Sequence, residues 1–154
     1  MLRVAAFAFS SSLPLEHREE AERILFFNLQ QEKMAAGIRA VSKTYGLPKL
    51  VVEDDRLHMR VSKDVAVQTL FVTARGQGSD KPVGAIVFTR EESALVALYM
   101  AVHEDYSANG EFAADKLMIR MLKELESIAR RVRGVEALHL YLGGAQPVRK
   151  KIRR

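Results

Sequence analysis

The chain has 154 residues, of which 48% are hydrophobic and 28% are charged, and it contains no cysteine. This length suits one domain, whose core is large enough for folding without a covalent cross-link or a structural metal ion. The lack of cysteine excludes disulfides, zinc–thiolate sites and thiol nucleophiles, and it is compatible with a reducing, cytoplasmic location.

The formal net charge of +5 is concentrated at the C-terminus. Five of the last six residues are cations, namely Arg149, Lys150, Lys151, Arg153 and Arg154. Without them the chain has 19 basic and 19 acidic residues. We therefore predict one domain over residues 1–146 and a solvated basic tail over residues 147–154. The alternative for the tail is a weak, salt-dependent contact with nucleic acid or another anionic partner.

The first apolar run, Val4–Phe9, is shorter than the hydrophobic region of a signal peptide, so we expect a first β-strand there. No apolar stretch of about 18 residues is present, and we therefore expect no transmembrane helix.

A helical pattern extends from Leu15 to Tyr45, with Pro14 suited to its first turn and Gly46 to its end. Gly37 is a point at which this helix could divide. Seven residues recur at steps of three and four and therefore share one face of the predicted helix: Ile24, Phe27, Gln31, Met34, Ile38, Val41 and Tyr45. This face is expected to pack on a sheet of the same domain, and the alternative is a homodimer contact.

The next segment alternates Leu57, Met59 and Val61 with His58 and Arg60, which is the period of a half-buried strand. His58 has no carboxylate or second histidine at ligand spacing, so we interpret it as a surface residue. No metal site is predicted.

Three further apolar runs, Val65–Ala74, Pro82–Thr89 and Ala94–Val102, are separated by short polar turns. Short connections favour antiparallel hairpins, because parallel neighbours need a crossover of a dozen or more residues.

An amphipathic helix follows from Ala114 to Val132 and stops at Gly134. Alternating leucines then predict a strand around Leu138 and Leu140, which the helix can bring into parallel pairing with the strand ending at Val102. The expected fold class is α/β (α+β), with a mixed, mainly antiparallel sheet flanked by helices.

Three of these segments, Leu70-Phe-Val-Thr-Ala74, Lys81-Pro-Val-Gly-Ala-Ile-Val-Phe88 and Leu95-Val-Ala-Leu-Tyr-Met-Ala-Val-His103, resemble the central core of a GNAT-type acetyltransferase when followed by a helix and a strand. The resemblance covers about half the chain. It implies an acetyl-CoA-dependent N-acetyltransferase that acts on an amine of a small molecule or peptide.

The resemblance also implies where acetyl-CoA binds. In that family two strands part to accept the pantetheine arm, and the amides before the next helix hold the pyrophosphate. Carried over to this chain, the pantetheine contacts are backbone groups of Met100, Ala101 and Val102. The pyrophosphate contacts are the amides of Ala108, Asn109, Gly110, Glu111 and Phe112.

The family's loop pattern is Gln or Arg, two residues, Gly, one residue, then Gly or Ala. The segment Ser107–Phe112 supplies Gly110 but ends on Phe112, whereas the register Asn109–Ala114 ends on alanine but puts Phe112 in place of the glycine. Glu111 adds negative charge near the expected diphosphate. Two alternatives therefore stay open: a turn that only caps the helix, and a non-catalytic GNAT-like binding or regulatory module that has lost CoA binding.

Transfer to an amine requires a base, for which Glu104 at the end of its strand is the candidate. Glu91, Glu92 and Asp105 are further carboxylates that could attract a cationic amine. The family's final two strands have no counterpart here, so a homodimer partner could be needed to complete the acceptor pocket.

Overall fold

A computed structural model describes residues 6–26, 35–63, 65–76, 80–107, 110–141 and 146–153. Short 3-10 turns aside, its elements in chain order are β1 (Ala6–Ser10), β2 (Leu13–Pro14), α1 (Arg18–Phe26), α2 (Ala35–Tyr45), β3 (Pro48–Glu53), β4 (Arg56–Val61), β5 (Gln68–Arg75), β6 (Asp80–Glu91), β7 (Ala94–Val102), α3 (Leu117–Arg131), β8 (Ala137–Leu140) and β9 (Val148–Lys151).

Two sheets organise the described residues. The larger has the order β1-β5-β6-β7-β8-β9, and the smaller has the order β2-β4-β3. Every neighbouring pair is antiparallel except β7 with β8, which is parallel. The predicted fold class, the two hairpins and the one parallel pair are therefore confirmed. Among the described residues, no helix has both the length and the apolar character needed to cross a membrane.

Helix α3 covers one face of the large sheet. Its fully buried residues recur at every fourth position, so they form one stripe along the helix: Leu117, Met121, Leu125 and Ala129. This stripe packs on Ile86, Leu95 and Leu138 of three adjacent strands. The helix begins three residues later than predicted, because Lys116 takes a left-handed backbone conformation with φ 51° and ψ 49°.

The opposite face of the large sheet carries α1, α2 and the small sheet. Val41 and Tyr45 of α2 pack with Leu57 and Met59 of β4 in this second core. Gly37 lies inside α2, so the predicted break at that residue is wrong. Phe27, Gln31 and Met34, which belong to the predicted apolar face, lie outside the described residues.

Gly84 of β6 lies directly against Met121 of α3. A Cβ atom at this position would lie 2.9 Å from Met121 Sδ and 3.1 Å from the Ala101 carbonyl oxygen. Met121 itself is fully buried. The glycine therefore lets the helix sit against the middle of the sheet.

The basic segment is not a tail outside the domain, because Val148–Lys151 forms β9 at the edge of the large sheet, although the four side chains of this strand are exposed. Ile152 follows it and is 6% exposed in the core under α3, and its N–H donates to the Glu136 carbonyl at 2.8 Å. Lys150 Nζ also donates to Glu126 Oε2 at 2.8 Å, and this hydrogen bond lowers the pKa of Glu126. Composition alone marked this segment as solvated, but one apolar anchor and a strand partner order it.

We predict that Ile152→Ala destabilises the protein by about 2 to 4 kcal/mol, because it removes a buried side chain and leaves a cavity. Chemical denaturation of the full chain measures the change. Val148→Ala in the same strand is the control, and since Val148 is 53% exposed its effect should stay within about 0.5 kcal/mol. Equal effects of the two substitutions would contradict the anchoring role of Ile152.

Candidate functional site

The parallel strands β7 and β8 pair over only four residues of each strand, from Ala94 opposite Ala137 to Ala97 opposite Leu140. Strand β7 then continues to Val102, whereas β8 ends at Leu140. The register of β7 against β6 shifts at the same point and leaves Leu98 as an extra residue. Such a bulge bends a strand and increases its twist. Strand β8 therefore has no residue paired with residues 98–102 of β7. We call the region beside these residues the opening, and its narrow end is the last pair, at Ala97.

The three residues predicted to contact pantetheine lie on this segment. Met100 and Val102 are 6% and 2% exposed, with their side chains in the core under α3. Ala101 is half-buried. Alternate backbone N–H and C=O groups of a strand point to opposite neighbours, so part of this segment's backbone faces away from β6 and toward the opening.

The turn between β7 and α3 is longer than a simple helix start. Glu104–Tyr106 forms one 3-10 turn and Ala113–Asp115 a second, before α3 begins at Leu117. The predicted pyrophosphate contacts at residues 110–112 therefore do not stand in the first turn of α3. Ala108 and Asn109 of the same prediction lie outside the described residues.

Two of the amides expected to be free for pyrophosphate are already bonded. Gly110 N–H donates to the Ser107 carbonyl at 2.9 Å, and Phe112 N–H donates to the Asp105 carbonyl at 2.6 Å. The expectation of unpaired amides is wrong at these two residues. Glu111 is exposed beside them, where its charge opposes a diphosphate.

Gly110 is required by a backbone contact. A Cβ atom here would lie 2.3 Å from the Glu104 carbonyl oxygen and 2.4 Å from the carbonyl carbon and oxygen of Asp105. These atoms belong to the main chain, so no side-chain rotation relieves the overlap. The residue that best matched the family loop therefore has a structural reason to be glycine.

Phe112 has a packing role in the turn. Its ring centroid lies 5.2 Å from that of Tyr106, which in turn lies 5.7 Å from Phe7 of β1 in an edge-to-face arrangement. The Arg120 guanidinium lies 4.6 Å above the Phe7 ring. Aromatic pairs and cation–π contacts of this kind hold the turn against the start of α3 and the edge of the sheet.

A cavity of about 420 Å³ lies beside this turn. Its lining includes His103 and Asp105 from the end of β7, together with Arg75 and Lys81 from the β5–β6 hairpin. His103 Nδ1 accepts a hydrogen bond from the Asp105 N–H at 3.0 Å. In the neutral ring the proton is then on Nε2, so His103 can donate a hydrogen bond from Nε2 but does not offer Nδ1 as a base.

Glu104, the candidate base, is exposed at the wide end of the opening. At about 3.3 Å per residue it lies roughly 20 Å along the chain from Ala97 at the narrow end. The resemblance places the pyrophosphate at residues 108–112, beside Glu104, and the pantetheine arm along residues 100–102, so the thioester at the end of the arm would lie still farther from Glu104. Glu104 is therefore not close to the narrow end, and its role as the base stays a prediction.

A polar cluster near the narrow end was missed by sequence reasoning. The Tyr45 hydroxyl donates to Glu91 Oε1, and the Tyr99 hydroxyl donates to the Gly46 carbonyl at 2.8 Å. Burial is the main cause that raises the pKa of Tyr45, with the Glu91 carboxylate as a further cause, and burial also raises the pKa of Tyr99. Both tyrosines stand at positions of apolar periodicity, so the sequence offered no signal beyond the hydroxyl itself.

Comparisons of this chain with protein-family models, with curated proteins and with solved structures found no match. Within the described ranges, no group of three or more side chains that could hold a metal ion is present.

We predict that Gly110→Ala destabilises the protein by about 1 to 3 kcal/mol, because the new Cβ overlaps main-chain atoms of Glu104 and Asp105. Denaturant unfolding measures the loss. Glu111→Ala is the matched control, since Glu111 is an exposed neighbour and its removal should change stability by no more than about 0.5 kcal/mol. A Gly110→Ala variant as stable as the parent protein would contradict the close contact.

Proposed function

We propose that this protein is an acetyl-CoA-dependent N-acetyltransferase that holds its donor in the opening between β7 and β8. The observation that carries the proposal is the bulge at Leu98, placed directly after the last β7–β8 pair at Ala97 and Leu140. The resemblance in the strand motifs leads to the same donor, and the parallel β7–α3–β8 arrangement agrees with it.

The opening suits the pantetheine arm better than the turn suits the pyrophosphate. Backbone groups of residues 98–101 can pair with the amides of an extended arm, as a further strand would. The turn offers no diphosphate cradle at Gly110 and Phe112, because both amides are bonded within it. We therefore propose that the backbone of β7 supplies most of the affinity for the donor.

Bound acetyl-CoA would supply a thioester whose carbonyl carbon bonds to the acceptor nitrogen as the carbon–sulfur bond breaks, while the amine's proton passes to a base or to the thiolate. The chain's part is to orient the arm, to accept that proton and to attract the amine. Carboxylates are available for the last two tasks at Glu91 and Glu104.

A second candidate is a non-catalytic GNAT-like module that has lost CoA binding. The bonded amides of Gly110 and Phe112 and the contact of Phe112 with Tyr106 favour it, because these residues have partners inside the turn without a ligand. In this case the function would be contact with another protein or with a second copy of the chain.

The two candidates differ in the effect of acetyl-CoA on the melting temperature. If acetyl-CoA binds the native state, a concentration 100 times its Kd stabilises the protein by about 2.7 kcal/mol. For a chain of this size that corresponds to a rise in Tm of roughly 5 to 10 °C. We expect this rise, and a measurable calorimetric heat of binding. No rise and no heat at millimolar acetyl-CoA would overturn the acetyltransferase proposal and favour the module.

The same experiment with S-acetylpantetheine, which lacks the diphosphate and nucleotide, tests the role of the turn. We expect its Kd to lie within about three-fold of that of acetyl-CoA, since the arm supplies most of the affinity. Acetyl-CoA binding that is tenfold or more tighter would mean that the turn holds the diphosphate after rearrangement. The Phe112→Gly variant then shows whether Phe112 limits that contact.

A further inference from the structure

A cavity of about 560 Å³ lies between the β6–β7 hairpin and the β8–β9 pair. The hairpin contributes Glu91, Glu92 and Ser93 to its lining, and the two strands contribute His139 and Arg149. The Ser93 carbonyl accepts hydrogen bonds from the N–H groups of Glu136 and Ala137, at 2.7 and 3.3 Å. These bonds fix the two walls of the cavity relative to each other.

The charged side chains of the second wall share one face of the sheet. Leu138 and Leu140 point into the core under α3, so His139 between them points to the other face. Arg149 is the direct antiparallel partner of His139, and directly opposed residues project to the same face. His139 and Arg149 are thus neighbours on the face that carries α1 and α2.

Glu91 on the first wall is held in place by a buried donor. The Tyr45 hydroxyl donates to Glu91 Oε1, and Tyr45 is 5% exposed. Burial raises the pKa of Tyr45, so the phenol stays protonated and continues to donate at neutral pH. The Glu91 carboxylate is exposed, and this hydrogen bond from a buried tyrosine restricts its orientation.

The cavity thus has carboxylates on the hairpin wall and a guanidinium on the β9 wall. A ligand with only positive charge would be repelled by Arg149, and a ligand with only negative charge would be repelled by Glu91 and Glu92. A ligand with one ammonium and one carboxylate group matches both walls. His139, between the two, can donate or accept a hydrogen bond.

The cavity also lies next to the narrow end of the β7–β8 opening. His139 directly precedes Leu140, the last residue of β8 paired with β7. One residue of a strand spans about 3.3 Å, so His139 is the lining residue that brings the cavity toward that end, while Ala94 and Ala137 line it about 10 Å farther along the strands.

We propose that this cavity binds an amino acid as a zwitterion, with its ammonium at Glu91 and Glu92 and its carboxylate at Arg149. Resting on the proposed function, we further propose that the amine of this ligand is the acceptor of the acetyl group.

Binding is tested on the full chain without acetyl-CoA, by titration in two-dimensional amide NMR spectra. Four probes of matched size are 2-aminobutyrate, 4-aminobutyrate, putrescine with two ammonium groups and succinate with two carboxylates. We expect one of the aminobutyrates to bind at least about tenfold tighter than putrescine or succinate, with shifts at Ser93, Ala137 and His139. No shift of these amides at about 10 mM aminobutyrate, or equal affinity for all four probes, would overturn the proposal.

Variants that remove one charge test the contribution of each wall to binding separately. Glu91→Gln keeps an acceptor for Tyr45 and should weaken aminobutyrate binding about tenfold without weakening succinate. Arg149→Met should weaken aminobutyrate binding by a similar factor without weakening putrescine binding. Lys150→Met is the matched control, because Lys150 is the next cation of β9 but faces α3.

An equal loss of aminobutyrate affinity in Lys150→Met and Arg149→Met would show a general charge effect and overturn the proposed site. Since donor and zwitterion are titrated separately, failure of acetyl-CoA binding and failure of amino-acid binding are distinguishable outcomes.

Discussion

The close packing of α3 on the large sheet at Gly84 is the constraint on which the rest of the structure depends. Met121 packs directly on Gly84, where a Cβ would lie 2.9 Å from the methionine sulfur and would require that side chain to shift. With the helix seated at this point, its buried stripe covers β6, β7 and β8 together. Dense packing of this kind leaves little freedom for the helix to shift along the sheet.

The position of α3 in turn fixes the relation of β7 to β8. The helix is the crossover that makes these strands parallel, while the polar β6–β7 hairpin keeps the earlier pair antiparallel. The pairing ends where the bulge at Leu98 begins. One side of the opening is the backbone of β7, and the hydrogen-bonded pair of Tyr45 and Glu91 lies on the sheet face that carries α1 and α2. Donor and acceptor binding are therefore proposed at adjoining parts of one structure.

The turn after β7 shows how a motif residue can serve the fold itself. Gly110 and Phe112 decided how well this segment matched the family's loop pattern. Contacts inside the chain account for the presence of both residues. A glycine permits close approach of any group, whether a phosphate or another backbone segment. Sequence cannot distinguish these two uses, because both select for the missing side chain. The contact that decides between them lies with Glu104 and Asp105, whose approach depends on the path of the whole turn.

By itself, the sequence determined β1, β4 to β8 and α3 and their order along the chain. The alternation of Leu57, Met59 and Val61, the polar hairpin turns and the apolar stripe of α3 all follow from periods of two and about four residues, which are local properties of the chain. Only the tertiary structure decided that residues 148–151 form a strand, that Gly110 lies against main-chain atoms and that the Tyr45 hydroxyl donates to a carboxylate. Strand β9 and Tyr45 depend on partners far away in sequence, namely β8 and Glu136 for the basic C-terminal segment and Glu91 for the tyrosine. Gly110 depends on the path of the turn, which brings the backbone of Glu104 and Asp105 against it. Charge composition favoured a solvated tail, but burial of Ile152 and strand pairing outweigh it once that partner strand is in place.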